Sequence, residues 1–209
     1  MIYNKQKVIF LLVLLFISLM SSEAATVGSV KQKQETIIGV KKVNPTTVDI
    51  LFSNHQRMTF DFYGENIFRV FQNNTGGNMQ APAAEPEARI LVDNPRKTIS
   101  DLMINDTNNQ ITITTSKIKL ILDKQTALLK VVNLSTGITV LEETEPVLFE
   151  KGKTVLTLKE NPDEYFYGGG VQNGRFSHKG KKIAIENQNS WTDGGVASPT
   201  PYYWSTRGY

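Results

Sequence analysis

From about residue 34 onward, apolar and polar residues alternate at a period of two, and no stretch sustains an apolar period of 3.6. Successive side chains of an extended strand point to opposite faces, so this alternation predicts half-buried strands and excludes a helical scaffold. In 47–52, Val48, Ile50 and Phe52 share one side while Thr47 and Asp49 take the other. The same holds for Met58, Phe60 and Phe62 in 58–63, for Ile111 and Ile113 in 110–115, and for Ile118, Leu120 and Leu122 in 117–123. Further strands are predicted over 67–72, 98–104, 127–133, 138–141 and 155–158. Turn residues separate them, among them Tyr63-Gly64-Glu65-Asn66 and the hairpin loop Asn133-Leu134-Ser135-Thr136-Gly137. About nine to eleven short strands spaced by turns predict an all-β sandwich. Residues 73–94, with Gly76-Gly77, Pro82 and Pro86, break the pattern. They predict a long excursion with a short strand at 89–92. It is no domain linker, because strands of the same character resume after it.

The chain of 209 residues is long enough for one sizeable core. Its net charge of +3 comes from scattered Lys and Arg interleaved with acids, with no basic stripe of the kind that binds nucleic acid. There is no cysteine, which excludes disulfides, thiolate metal sites and Cys nucleophiles. At the N-terminus, Lys5 and Lys7 precede an apolar run over 8–20, followed by the small residues Ser22, Ala24 and Ala25. This is the pattern of a secretory signal peptide over 1–24. The run is shorter than the roughly 20 residues of a spanning helix, so a cleaved signal is expected rather than an anchor. The mature chain, 25–209, is then secreted or periplasmic, with no membrane attachment after cleavage.

The last 45 residues, 165–209, carry nine of the 19 aromatic residues, both Trp, and eight of the 15 glycines. They hold almost no aliphatic run, and they predict a Gly- and aromatic-rich loop segment facing a ligand, presented by the β scaffold before it. Gly168-Gly169-Gly170 fails as a phosphate loop: Asn173 stands where G-x-G-x-x-G needs its last glycine, and no helix follows. A tight turn or bulge is expected there instead. His55 and His178 are the only histidines, too few without Cys for a closed zinc site. No metal or cofactor is expected. His55 is expected in a surface loop, while His178 is either structural or close to a ligand. Trp191-Thr192-Asp193 is the sharpest local feature. A Trp face packs on the C–H face of a pyranose, and a nearby carboxylate accepts from its hydroxyls. A buried Trp beside a turn Asp, with Gly194-Gly195 completing the turn, accounts for the same residues.

Glu164-Tyr165-Phe166-Tyr167-Gly168-Gly169-Gly170 resembles the E-x-x-Y-G-x-G segment of glycoside hydrolase family 31. The run from Phe166 through His178-Lys179-Gly180, together with Asn189-x-Trp191-x-Asp193-Gly194-Gly195 and Pro199-x-Pro201-Tyr202-Tyr203-Trp204-Ser205-Thr206, is similar to a bacterial branch of that family containing α-glucosidases and α-glucosyltransferases. The resemblance covers about 45 residues closely and the strands upstream only in pattern. It implies a galactose-mutarotase-like β-sandwich followed by a (β/α)₈ catalytic barrel. A sandwich loop would reach over the barrel mouth and line the sugar subsites. Asp193 matches that loop's sugar-contacting residue, with Trp191 and Arg175 as neighbours, and the implied partner is an α-linked glucosaccharide.

The family hydrolyses α-glycosides with retention, using an Asp nucleophile and an Asp acid/base on barrel loops. Asp193 is not that nucleophile, because Gly194-Gly195 follows it and its context is the sandwich. A barrel needs on the order of 250 further residues, so none is expected within these 209, and no catalytic residue is assigned. Three readings stay open: the exported N-terminal part of a retaining α-glucosidase or α-glucosyltransferase, a free-standing carbohydrate-binding sandwich, and a structural remnant.

Overall fold

The computed structural model describes residues 35–72, 99–150, 153–172, 176–183, 185–186 and 196–209, all within one compact unit, Lys33–Tyr209. The signal segment 1–24 and the excursion with its strand at 89–92 lie outside the described residues.

Twelve strands and no helix occur among the described residues. Four form one antiparallel sheet in chain order: β1 (Ile37–Asn44), β2 (Thr47–Phe52), β3 (Arg57–Gly64) and β4 (Ile67–Gln72). Six form the second: β5 (Met103–Asp106), β6 (Gln110–Thr114), β7 (Ile118–Asp123), β8 (Leu129–Asn133), β9 (Thr139–Glu150) and β10 (Lys153–Leu158). Within each sheet every strand after the first pairs with the one made just before it, so both sheets are meanders. The last two, β11 (Phe166–Gln172) and β12 (Val196–Ser205), pair with each other as a separate antiparallel ribbon.

The alternation in the sequence becomes the core. Val48, Ile50, Phe52, Met58, Phe60 and Phe62 from the first sheet meet Ile111, Ile113, Ile118, Leu120, Leu122, Leu129 and Val131 from the second in one buried cluster. Two inner faces closing on each other make a sandwich, and each large side chain fully buried there contributes about 1.5–3 kcal/mol. Phe68 of β4 packs its ring 5.7 Å from Phe62 and 6.1 Å from Phe60. Hydrogen bonds tie the sheets at their margins: Ile37 N–H donates to the Lys124 carbonyl at 2.9 Å, and the Lys42 ammonium to the Leu102 carbonyl at 3.1 Å. The Glu65 carboxylate, in the β3–β4 turn, accepts from Ser116 N–H at 2.9 Å and Ser100 N–H at 3.1 Å. Those bonds, the Ser116 one foremost, hold its pKa below the ordinary 4.5.

The opposite face of β2 and β3 is also buried, and it is polar. Thr47 lies directly across from Asp61 and Asp49 across from Thr59. The Thr47 hydroxyl donates to Asp61 at 2.9 Å and the Thr59 hydroxyl to Asp49 at 2.7 Å. Arg57 pairs with Asp49 at 3.3 Å and Arg69 with Asp61 at 3.4 Å. The buried carboxylates are thereby both hydrogen-bonded and charge-paired, as burial requires.

β9 runs well past the sequence reading. β9 runs 12 residues, from Thr139 to Glu150, instead of the four predicted. Pro146, which has no N–H to give the ladder, falls where β9 carries an extra residue against β10, between the pairs Thr157↔Glu145 and Val155↔Leu148. The alternation therefore breaks there while the strand continues.

Candidate functional site

The C-terminal ribbon is the part of the described chain that concentrates aromatic and polar groups. Its register runs Phe166↔Ser205, Tyr167↔Trp204 and Gly168↔Tyr203, shifts between Gly168 and Gly170, and resumes at Gly170↔Pro199, Val171↔Ser198 and Gln172↔Val196. The three glycines form the bulge expected of them, with φ of 115°, 77° and 80°. Glycine is obligatory at two of these positions. A Cβ on Gly168 would lie 2.5 Å from the Tyr202 carbonyl oxygen, and one on Gly170 would lie 2.1 Å from that of Ser198. The ends of 165–209, read from the sequence as loop, are thus paired strands. Cross-strand ring contacts and backbone pairing replace the aliphatic side chains that sequence patterning relies on. Tyr167 stacks on Trp204 with centroids 4.5 Å apart, and Phe176 meets Tyr167 edge-on at 5.3 Å.

One carboxylate closes the ribbon. Glu164 is fully buried. It accepts from Asn161 N–H at 3.1 Å, from Asn161 Nδ2 at 3.0 Å, and from the hydroxyls of Ser205 and Tyr209. Burial alone would raise its pKa, but these donors outweigh it and hold the group at about 2. Burial and the Glu164 charge together push the Tyr209 phenol up, and burial followed by the same charge does so for Tyr203. The turn before Glu164 is capped by Lys179. Its ammonium donates to the carbonyls of Asn161, Pro162 and Glu164 at 3.2, 2.5 and 2.7 Å, and sits 5.0 Å from the centre of the Tyr165 ring.

His178 is buried against β11. Its N–H donates to the Phe166 carbonyl at 2.9 Å, and its Nε2 lies 2.8 Å from the Gly168 carbonyl oxygen. A carbonyl only accepts, so Nε2 carries the proton. Nδ1 is buried and meets no hydrogen-bonding group among the described residues. Beside it, between β10 and the ribbon, lies a cleft of about 630 Å³ walled by Leu156, Leu158, Phe166, Ile183, Tyr202 and Tyr203, with Lys159, Glu160 and Lys181 also lining it. His55 sits exposed in the β2–β3 turn with φ of 66°.

Arg175, Trp191 and Asp193 lie outside the described residues. The chain leaves the ribbon for them after Gln172 and returns at Val196, a directly paired couple. Sequence reasoning gave no role to Glu164, Ser205, Asn161 or Lys179. The signal available was the turn Asn161-Pro162-Asp163 placed just ahead of an acid and an aromatic strand.

Residues 57–209 match the family model of the glycosyl hydrolase 31 N-terminal galactose mutarotase-like domain. The chain belongs to glycoside hydrolase family 31. Its sandwich and ribbon are those of the N-terminal domain of family-31 enzymes, as the resemblance implied. Solved family-31 structures share the fold: a dextranase of Flavobacterium johnsoniae complexed with isomaltotriose (TM-score 0.64, 13% identity over 85% of this chain), a cycloalternan-forming enzyme of Listeria monocytogenes in complex with a pentasaccharide substrate (0.64, 15% over 83%), and an α-xylosidase of Xanthomonas citri (0.60, 18% over 80%). The chain spans 22%, 16% and 18% of their respective lengths. No curated protein sequence matches it.

Proposed function

We propose that this chain is the exported N-terminal portion of a retaining family-31 enzyme acting on α-glucosides, by hydrolysis or by α-glucosyl transfer. Its part in that enzyme is to support the barrel and to bind carbohydrate at the acceptor subsite through the segment between β11 and β12. Asp193 accepts from sugar hydroxyls there, Trp191 offers its ring face and Arg175 stands beside them. The observation that carries this reading is the family match over 57–209, which runs through the whole ribbon. The isomaltotriose and pentasaccharide bound by the dextranase and the cycloalternan-forming enzyme support a glucosaccharide ligand. The nucleophile and acid/base belong to the barrel, so the 209 residues alone turn over no α-glucoside.

Two experiments test this. Reading the coding DNA past the codon for Tyr209 should show an open frame of some 250 or more codons with a Trp-x-Asp motif; a stop with no barrel in any frame removes the enzyme from the proposal. Titrating the chain with isomaltotriose should show saturable binding that Trp191→Ala or Asp193→Ala abolishes, and a flat titration removes the binding role. Export is tested by N-terminal sequencing of the secreted or periplasmic protein, which should begin at Ala25.

A free-standing carbohydrate-binding sandwich is the second reading. It is favoured by the rings that the ribbon leaves open, with Tyr202 64% and Trp204 45% exposed.

A further inference from the structure

The stretch that carries Trp191 and Asp193 is tied to the ribbon at both ends. At its far end Val196 pairs directly with Gln172, the last residue of β11. At its near end His178 N–H donates to the carbonyl of Phe166, the first residue of β11. β11 is seven residues long, so these two ties stand about 20 Å apart. The chain between Lys179 and Val196 therefore starts at one end of β11 and finishes at the other. Lys179 locks the near tie. An ammonium has three N–H donors and no acceptor, and here three carbonyls meet them, those of Asn161, Pro162 and Glu164 at 3.2, 2.5 and 2.7 Å. The Glu160 carboxylate stands 3.4 Å from the same nitrogen, and the centre of the Tyr165 ring lies 5.0 Å away, within cation–π range. All five groups come from residues 160–165, so the turn into β11 wraps one cation supplied by the segment that follows β11. A guanidinium cannot replace it, because its planar fork of donors does not converge on three carbonyls around one point.

We propose that Lys179 is the positioning residue of the acceptor segment: its ammonium, held by the carbonyls of Asn161, Pro162 and Glu164, fixes the near end of the stretch 180–195 and so sets where Trp191 and Asp193 stand toward a saccharide. This rests on the acceptor reading given above, and adds to it the group that orients that segment. With the ammonium gone, the near tie is left to the hydrogen bonds of His178.

The test uses the full chain, natural and as Lys179→Ala, titrated with isomaltotriose. The Lys179 side chain is 25% exposed, so a small amine can enter the space that Lys179→Ala vacates. Expected are an affinity about tenfold lower in Lys179→Ala and faster hydrogen exchange at the His178 and Lys181 amides, both restored by methylammonium. Tetramethylammonium, equal in charge but without N–H, should restore neither, and Lys179→Arg should resemble Lys179→Ala. The amides of Ile113 and Leu120 in the sandwich core report that each variant is folded. Natural affinity in Lys179→Ala, or a loss that methylammonium leaves in place, overturns the positioning role and leaves the acceptor reading standing. A natural chain that binds no isomaltotriose removes the acceptor reading, and the role of Lys179 falls with it.

Discussion

Glu164 and Ser205 stand 41 residues apart in sequence and share a hydrogen bond in which the Ser205 hydroxyl donates to the buried carboxylate. That bond joins the entry of β11 to the exit of β12. Asn161 and the Tyr209 hydroxyl complete the carboxylate's shell. Glu164→Gln replaces an acceptor oxygen by an NH₂ group, so at least one hydroxyl loses its partner, at about 1–3 kcal/mol. The loss should be local. Hydrogen exchange at Thr206, whose N–H donates to the Tyr165 carbonyl at 3.0 Å, should speed up about tenfold or more. The amides of Ile113 and Leu120 in the core should keep their rates.

The same carboxylate sets an acid limit for the ribbon. Its pKa falls from the ordinary 4.5 to about 2 on folding. A depressed acid stabilises the folded form above its unfolded pKa and loses that contribution as pH falls toward its folded value. Near-ultraviolet circular dichroism, which reports Tyr167, Tyr203 and Trp204, should therefore hold steady down to about pH 4.5 and decline from there toward about pH 2. A signal flat over that window would remove Glu164 as the ribbon's acid-sensitive group.

Glu143 should behave in the opposite sense. It is buried in β9 and accepts Leu129 N–H at 2.8 Å, and burial raises its pKa. A raised acid stabilises the fold below its unfolded pKa and loses that contribution as pH rises through the folded value. Glu143→Gln keeps the acceptor and removes the buried charge. Its Tm should exceed that of the natural chain at pH 7 and converge with it at pH 4.

The glycine bulge gives a paired comparison. Gly170→Ala places a Cβ 2.1 Å from the Ser198 oxygen at a φ of +80°, and should destabilise the ribbon by at least ~2 kcal/mol. Gly39 in β1 has nothing within 4 Å of its Cβ position, and Gly39→Ala should stay within about 0.5 kcal/mol in urea melts. Equal effects at the two positions would contradict the close backbone approach across β11 and β12.

The core follows the same logic at larger scale. Phe60 has no exposure and touches both Phe68 and the inner cluster. Phe60→Ala should cost about 3–5 kcal/mol, and Ile113→Val only about 0.5–1.5 kcal/mol.

The sandwich was legible because its chemistry repeats. Each inner strand spells its buried face in aliphatic and Phe residues two apart, and Glu65-Asn66 and Asn133–Gly137 punctuate them. The glycine triplet was legible as a bulge for the same local reason. What escaped is held together by groups that carry no period. β11 and β12 are built from Gly, Pro and rings, and their pairing joins residues 24 to 39 positions apart. Glu164 shows no local sign of burial, because Ser205 and Tyr209 reach it from more than 40 residues further along the chain. Thr47, Asp49, Thr59 and Asp61 read as a polar outer face, yet all four are buried, because cross-strand partners satisfy them.

The meander order has a consequence for how the chain assembles. Within each sheet every strand after the first finds a hydrogen-bonding partner in the strand synthesised immediately before it, so pairing advances with the growing chain and demands little loop closure. The last of these ten strands is finished at Leu158. The ribbon cannot register until Ser205 has emerged to face Phe166. A nascent chain thus completes its two sheets well before the aromatic ribbon they carry, and the ribbon is shielded from other chains later than they are.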